Sequence, residues 1–345
     1  FLAGDFLAEV AQTSGLLTTF GAFMGRLSKR LAVVKPETLA SAESEWDLQH
    51  LLKNRQYLTR VKDRRDRALI DYFFLQFERE VLPFRYRLRK AVIHNDANDW
   101  NVLCDDGEVS GLIDFGDMCY SWQINEVAVA LTYILMGKDD PLSAAKIFLR
   151  AYHAQFPLTR EESDVLYYLV AGRLCMSLCQ SAQTIETAGT SLTPEQEAYI
   201  NISKVPAQKL LHQWIRINPL EARNVFRSAI GVPKEPPPAM RKDLMERRSR
   251  FFSPALSLSY NTPIVMHRAA MQYMYDVSGT TYLDAYNNIM LAGHSHPKIA
   301  RAASEGMARL NTNTRYLYNA LDAYAEQLLA LFPEPLNKLF LVNSG

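Results

Sequence analysis

Two short polar segments contain residue types that suit phosphoryl transfer. His94, Asp96 and Asn101 follow the spacing His-x-Asp-x-x-x-x-Asn, and Asp114 opens an Asp-Phe-Gly triplet further along the chain. Such a transfer needs a carboxylate that orients the attacking hydroxyl and accepts its proton, and oxygen ligands that hold Mg²⁺ against the nucleotide phosphates. The spacing predicts that Asp96 serves the hydroxyl and that Asn101 and Asp114 bind the metal, because hard oxygen ligands suit Mg²⁺.

The same residues also have a plainer interpretation, since Asn and Asp are common in ordinary turns. The joint order favours the catalytic interpretation, because Asp-Phe-Gly rarely follows the first pattern at this distance by chance. By analogy with the catalytic loop of kinases, we expect His94 to support the loop by packing and hydrogen bonding rather than to carry a proton.

A second candidate site lies at Ser344 and Gly345, which follow a short apolar run. A strand that ends in Ser-Gly before a helix presents backbone N–H groups to an anion such as a phosphate. A simple strand-ending turn is the alternative interpretation.

Two pairs of metal-ligating residue types are better explained without a metal. Cys175 and Cys179 lie one helical turn apart, and His294 and His296 flank one residue. Neither pair has the further ligands that complete a tetrahedral site. The four cysteines lack the spacing of zinc sites and the density of a disulfide scaffold, so we expect reduced thiols.

The composition argues against nucleic acid and membrane partners. The 345 residues contain 38 Lys and Arg against 37 Asp and Glu, so no excess of positive charge would attract a polyanion. No apolar run approaches the roughly 20 residues of a membrane span, and the first residues lack the order of a signal peptide. We therefore expect a globular, cytoplasmic protein that acts on small molecules.

The elements that must position the polar segments alternate between strand and helix patterns. The apolar run 91–93 predicts a strand, and residues 101–104 and 109–113 predict a hairpin around the turn 105–107. Helical periodicity covers residues 15–31, 46–80 and 124–211. Within the last range, helix starts are predicted at Asp140, Thr159 and Thr193.

A proline-rich stretch at residues 231–238 marks a domain boundary, because it cannot continue a helix. We expect the charged residues 241–250 to form a solvated linker helix rather than an anion site. Beyond it the pattern predicts a second hairpin around Ser278 and Gly279, a helix from Pro297 to about residue 310, another at 320–331, and a strand at 338–342.

The first part of the chain resembles the aminoglycoside phosphotransferase family. The resemblance covers roughly residues 1–228, and its specific motifs lie within residues 91–117. It implies the mostly helical C-terminal lobe of a kinase-like fold, ATP or GTP with Mg²⁺, and a small hydroxylated amine as substrate. Asn95 stands where glycine is common in the family. No glycine-rich loop or strand lysine of a nucleotide-binding lobe is found in the sequence.

The last part resembles class III aminotransferases over about residues 259–345. The resemblance implies a fold type I α/β domain, pyridoxal 5′-phosphate (PLP) with its phosphate at Ser344 and Gly345, and a homodimer formed through this domain. The Schiff-base lysine of the family is not in this segment. The matching motifs occur in order at 282–288, 293–297, 311–316 and 342–345.

Together the two resemblances predict an α+β fold with a kinase-like lobe at 1–228, a linker at 229–258 and a class III segment at 259–345. They imply a bifunctional enzyme that phosphorylates a small amino alcohol or amine and then performs a PLP-dependent transamination or phosphate elimination. The alternative is a catalytically idle kinase-like scaffold that regulates the aminotransferase. We expect this chain to be a piece of such an enzyme, inactive by itself.

Overall fold

The protein is a mostly helical α+β structure with small antiparallel sheets. The computed structural model describes residues 4–39, 44–234, 240–286 and 291–342. The chain forms two compact units, residues 1–297 and residues 298–345. Among the described residues, no helix is both long and apolar enough to cross a membrane.

Among the described residues up to Trp122, five short strands frame the polar loops of the first unit. The hairpin predicted around Asp106 and Gly107 is confirmed, and both residues have positive φ in its turn. Its strands β3 and β4 belong to a three-stranded antiparallel sheet with the order β1-β3-β4. Strands β2 and β5 pair with each other in a separate two-stranded sheet. The strands are β1 (Asp5–Phe6), β2 (Lys90–Ile93), β3 (Val102–Asp105), β4 (Glu108–Leu112) and β5 (Cys119–Trp122).

Among the described residues up to Ala229, seven α-helices form a helical lobe next to these strands. The three predicted helix starts are confirmed, because the side chains of Asp140, Thr159 and Thr193 each cap a helix, and the two threonines form capping boxes. A 3₁₀ segment (Leu48–Arg60) precedes the second helix. The helices are α1 (Ser14–Leu31), α2 (Arg64–Glu80), α3 (Ile124–Leu135), α4 (Pro141–Gln155), α5 (Arg160–Ala188), α6 (Pro194–Trp214) and α7 (Pro219–Ala229).

Helix α5 is the central element of the core. It spans 29 residues, and nearly every residue from Val165 to Cys179 is buried. A helix that is apolar all round is typical of the centre of a large core. A charged residue on this stretch is therefore held in place by packing on every side.

A second three-stranded sheet, here called the second sheet, packs against the helical lobe within the same compact unit. The side-chain amide of Asn218 donates to the carbonyl of Asp276 at 2.9 Å, and the Tyr275 hydroxyl donates to the carbonyl of Ile215. Arg268 donates to Glu80 and to the Tyr168 hydroxyl. The sheet contains β6 (Met266–Ala270), β7 (Tyr273–Asp276) and β8 (Thr281–Leu283) in that order, which confirms the predicted second hairpin.

Three more helices lie in the described residues after Ala229. Helix α8 (Arg241–Phe251) has no buried residue, as expected of a solvated linker helix. Helices α9 (Pro297–Arg309) and α10 (Asn319–Leu329) follow. The predicted strand at 338–342 is wrong, since these residues are irregular and Phe340 is exposed. A strand exists only by pairing, and no described segment pairs with this one. Residues 235–238 of the proline-rich stretch lie outside the described residues.

Candidate active site

The structure brings Asp96, Asn101 and Asp114 into the lining of one cavity of about 1060 Å³ in the first unit. The loop between β2 and β3 supplies Asp96 and Asn101, and the segment after β4 supplies Asp114. Because Ile113 N donates to the Asn101 carbonyl at 2.9 Å, the two segments are tied together at their bases. The three residues that the motif spacing singled out therefore lie close together in the structure.

Three side chains hold the carboxylate of Asp96. Its Oδ2 accepts hydrogen bonds from the amides of Asn98 at 2.9 Å and Asn101 at 2.8 Å. Its Oδ1 accepts from the Nη2 of Arg173 at 2.8 Å. Burial raises the pKa of Asp96, and the charge of Arg173 and the bond from Asn98 oppose this shift. The result is an oriented, partly desolvated carboxylate, which suits a general base.

Asn101 and Asp114 offer oxygen atoms to a cation from the same cavity. The amide nitrogen of Asn101 donates to the backbone and side chain of Asp96, which leaves its amide oxygen for a metal. Asp114 is exposed, and its Oδ1 accepts from Gly116 N at 3.2 Å. Within the described ranges, no three His, Cys, Asp or Glu side chains form a metal site. These two donors fit Mg²⁺, which is commonly bound through one or two protein oxygens together with substrate phosphates.

Backbone strain in the loop between β2 and β3 is held by Glu126, a residue that the sequence analysis missed. Asn95 has φ of 70°, a conformation that Asn adopts more readily than most residues. The carboxylate of Glu126 accepts from His94 N at 2.6 Å and from Asn95 N at 3.3 Å. Burial raises the pKa of Glu126 to about 7, although both bonds lower it. A glutamate within the apolar sequence of α3 was the signal that could have revealed it.

His94 contacts the backbone through both ring nitrogens. Its Nε2 lies 3.1 Å from the carbonyl of Ile113, and its Nδ1 accepts from Asp96 N at 3.2 Å. The ring also packs edge-on against Phe115. Burial lowers the pKa of His94, so the neutral ring donates through Nε2 and accepts through Nδ1.

Arg173 on α5 is the second residue that the sequence analysis missed. Its side chain is only 2% exposed, yet it reaches the cavity lining and pairs with Asp96. Nη2 also donates to the Tyr133 hydroxyl at 3.3 Å, and Nη1 donates to the Trp46 carbonyl at 3.4 Å. The guanidinium carbon lies 4.7 Å from the centroid of the Trp46 ring. An arginine within the apolar run of α5 was the available signal.

The other candidate residues that the structure describes do not line this cavity. Cys175 and Cys179 are buried thiols in the core of α5, and burial raises the pKa of Cys179 to about 12. His294 contacts Asp284 at 2.6 Å through its Nε2. The predicted phosphate-binding residues Ser344 and Gly345 lie outside the described residues.

Comparison with known proteins separates the chain into two regions. Residues 2–163 match the phosphotransferase enzyme family, and residues 257–345 match the class III aminotransferases. A hydroxylysine kinase of Xenopus laevis is 30% identical over 217 residues, which are 59% of this chain and 57% of the relative. The chain thus spans little more than half the length of that kinase.

The second region has relatives of its own. The mitochondrial alanine–glyoxylate aminotransferase 2 of Homo sapiens is 36% identical over 105 residues, which are 30% of this chain and 20% of the relative. A phospholyase from Arthrobacter, solved with phosphoethanolamine, is 38% identical over 30% of this chain and 24% of its own, with a TM-score of 0.29.

A microcompartment-associated aminopropanol kinase is 16% identical over 62% of this chain and 66% of its own, with a TM-score of 0.47. The chain is thus similar to two different enzyme families, to phosphotransferases over residues 2–163 and to class III aminotransferases over residues 257–345.

Proposed function

We propose that the protein transfers a phosphoryl group from ATP or GTP to the hydroxyl of a small amine. The observation that supports this function is the arrangement of Asp96, Asn101 and Asp114 around one cavity, with the Asp96 carboxylate already held by three donors. The alternative of an idle scaffold gives no reason for this arrangement.

In the proposed reaction, Asp96 accepts the proton of the substrate hydroxyl as its oxygen bonds to the γ-phosphorus and the bond to the nucleoside diphosphate breaks. Asn101 and Asp114 would hold Mg²⁺, which neutralises charge on the phosphates when bound. His94 and Glu126 keep the loop in the conformation that aims Asp96 into the cavity.

The charge of the cavity supports an amine as substrate. Among its described lining residues, Asp96 is paired with Arg173 and Asp114 would hold Mg²⁺, which leaves two further carboxylates, Asp99 and Asp117. Trp46, Tyr133 and Tyr199 also line it. Carboxylates and aromatic faces both attract an ammonium group. The similarity to a hydroxylysine kinase agrees with an amino-alcohol substrate.

For the second region we propose a PLP-dependent reaction in a homodimeric, cytoplasmic protein. PLP supplies an electron sink for chemistry at the amine carbon when it is bound. Phosphorylation would convert a poor hydroxide leaving group into phosphate, so a kinase and a phospho-lyase would act in sequence. Transamination without phosphate release is the second candidate, supported by the similarity to an aminotransferase.

The experiment compares the full-length protein with its Asp96→Asn and Asp114→Asn variants, using ethanolamine or hydroxylysine, ATP or GTP, Mg²⁺ and PLP. Asp96→Asn should abolish phosphorylation and retain nucleotide binding, because the carboxylate serves the hydroxyl. Asp114→Asn should weaken binding of the Mg²⁺-nucleotide. Undiminished turnover in Asp96→Asn would contradict the proposal.

The same mixture distinguishes the two outcomes for the second region. Equimolar phosphate, ammonia and aldehyde, formed after nucleoside diphosphate, supports elimination. Transfer of the amino group to a keto acid without phosphate release supports transamination.

A further inference from the structure

We infer that Arg173 is a positioning residue for phosphoryl transfer, which fixes the orientation of the Asp96 carboxylate from the core side of the cavity. This inference rests on the proposed function. It assigns a role to a side chain that lies 77 residues from Asp96 in the sequence.

Of the three side chains that donate to the Asp96 carboxylate, Arg173 is the charged one, and it binds a different oxygen from the other two. The two asparagine amides bind Oδ2, and both come from the same short loop as Asp96. Arg173 binds Oδ1 at 2.8 Å from a different element, helix α5. A carboxylate held at both oxygens by separate elements cannot rotate, and a charged donor makes a stronger hydrogen bond than a neutral amide.

The guanidinium is itself held rigidly. Its central carbon lies 4.7 Å from the centroid of the Trp46 ring, its Nη2 donates to the Tyr133 hydroxyl, and the residues of α5 from Val165 to Cys179 are buried. Because the planar guanidinium is fixed in this way, the carboxylate that it binds is also fixed relative to α5. Lysine at this position would keep the charge but would lose the stacked plane.

Stability alone does not account for this arginine. Its side chain is 2% exposed, and its Nε makes no hydrogen bond among the described residues. Desolvating a cation costs several kcal/mol, and a buried ion pair often stabilises a fold no more than apolar residues of similar size. The location of the pair at the lining of the cavity points to a functional reason.

Arg173 does not act by binding the substrate directly. Nη2 is engaged by Asp96 and Tyr133, and Nη1 donates to the Trp46 carbonyl. With so little exposed surface, the guanidinium has no free face for a substrate group. Its loss should therefore lower kcat through Asp96 and leave the KM values for nucleotide and amine nearly unchanged.

The test compares Arg173→Gln and Arg173→Lys in the full-length protein, with Arg227→Gln as the matched control. Arg227 is also 2% exposed and is paired with an aspartate, Asp164, at 2.6 Å, but it is not among the lining residues of the cavity. Each variant is assayed for kcat, both KM values and thermal unfolding.

We expect Arg173→Gln to lower kcat by about 100-fold, as small misplacements of catalytic groups do. Arg173→Lys should recover part of this loss. Arg227→Gln should lower the unfolding temperature and leave kcat of the folded protein unchanged.

A wild-type protein that phosphorylates none of the amino alcohols overturns the proposed function, and the role of Arg173 with it. An active wild type with an equally active Arg173→Gln variant overturns only the role of Arg173. A rise in the KM for the amine at unchanged kcat, or an equal loss of kcat in Arg227→Gln, also overturns it.

Discussion

At the scale of single residues, the site is a motif completed by partners from distant parts of the sequence. The spacing of His94, Asp96 and Asn101 was visible, because these residues lie within one loop. Glu126 and Arg173 were not found, since a spacing rule carries no information about tertiary contacts formed across 31 or 77 residues. Each is a charged residue inside an apolar helix, and burial of a charge is the physical sign of a specific partner.

Glu126→Gln should lower the rate of phosphoryl transfer. The glutamine amide keeps one acceptor, but its NH₂ group faces the backbone N–H of His94 or Asn95, where the carboxylate now accepts. The loop would lose one bond at its strained residue, and we expect kcat to fall by about 10- to 100-fold. Steady-state kinetics checks this, and an unchanged kcat would show that the loop does not depend on Glu126.

The pKa of Glu126 also predicts how stability depends on pH. Its pKa rises from 4.5 in the unfolded chain to about 7 in the folded protein. Between these values the folded state binds more protons, so the free energy of unfolding decreases as the pH rises. The shift corresponds to about 3 kcal/mol. This contribution is present in full below the unfolded pKa and is lost as the pH rises through the folded pKa.

Urea unfolding of the wild type and Glu126→Gln at pH 4, 6 and 8 measures this effect. The stability advantage of the wild type over the variant should shrink with rising pH, because glutamine does not titrate. A difference that stays constant across this range would contradict the burial of an ionisable group at this position.

At the scale of elements, the sequence predicted helix starts correctly where the residues that form them are neighbours in the chain. Asp140, Thr159 and Thr193 cap their helices through their own side chains, so the chemistry that starts each helix lies within four residues. The two-residue strand β1 and the strands β5 and β6 were missed. Strand β1 exists because Asp5 and Phe6 pair with β3, about 100 residues away.

Gly21→Ala tests the close packing of α1 on α4. Alanine is favoured over glycine in helices by about 1 kcal/mol, but a Cβ at Gly21 would lie 2.3 Å from the carbonyl oxygen of Phe148. The helices would have to separate, and we expect a net destabilisation of about 1–3 kcal/mol. Denaturant unfolding measures it.

Gly306→Ala is the control for this change, since nothing lies within 4 Å of a Cβ at Gly306 in α9. This variant should be neutral or slightly stabilising. Equal effects of the two substitutions would mean that helix propensity, and not the contact with α4, determines the result.

At the scale of the whole molecule, the boundary between the two family matches differs from the boundary between the two compact units. The class III match begins at residue 257, whereas the first compact unit continues to Pro297. Ala270 and Tyr275 of the second sheet are buried in the same core cluster as α5 and α6. The sequence could not predict this docking, because the aromatic strands would suit any apolar surface. The domain limits 1–228 and 259–345 stay a prediction.

Tyr275→Ala should destabilise the helical lobe. Tyr275 is 1% exposed and donates to the carbonyl of Ile215. Removing a buried aromatic side chain costs about 3–5 kcal/mol, so the phosphotransferase activity should be lost at a lower temperature. Tyr286→Ala is the control, because Tyr286 is 90% exposed. Thermal inactivation that is identical in both variants would show that the sheet does not stabilise the lobe.

Helix α5 carries contacts to both regions of the chain. The Tyr168 hydroxyl accepts a hydrogen bond from Arg268 of the second sheet, and five residues later Arg173 donates to Asp96. A protein engineer who cut the chain at the linker, to obtain the two regions separately, would therefore remove part of the support of the helix that carries Arg173. A division that preserves this support has to keep β6 to β8 together with α5, although the class III match already begins at residue 257.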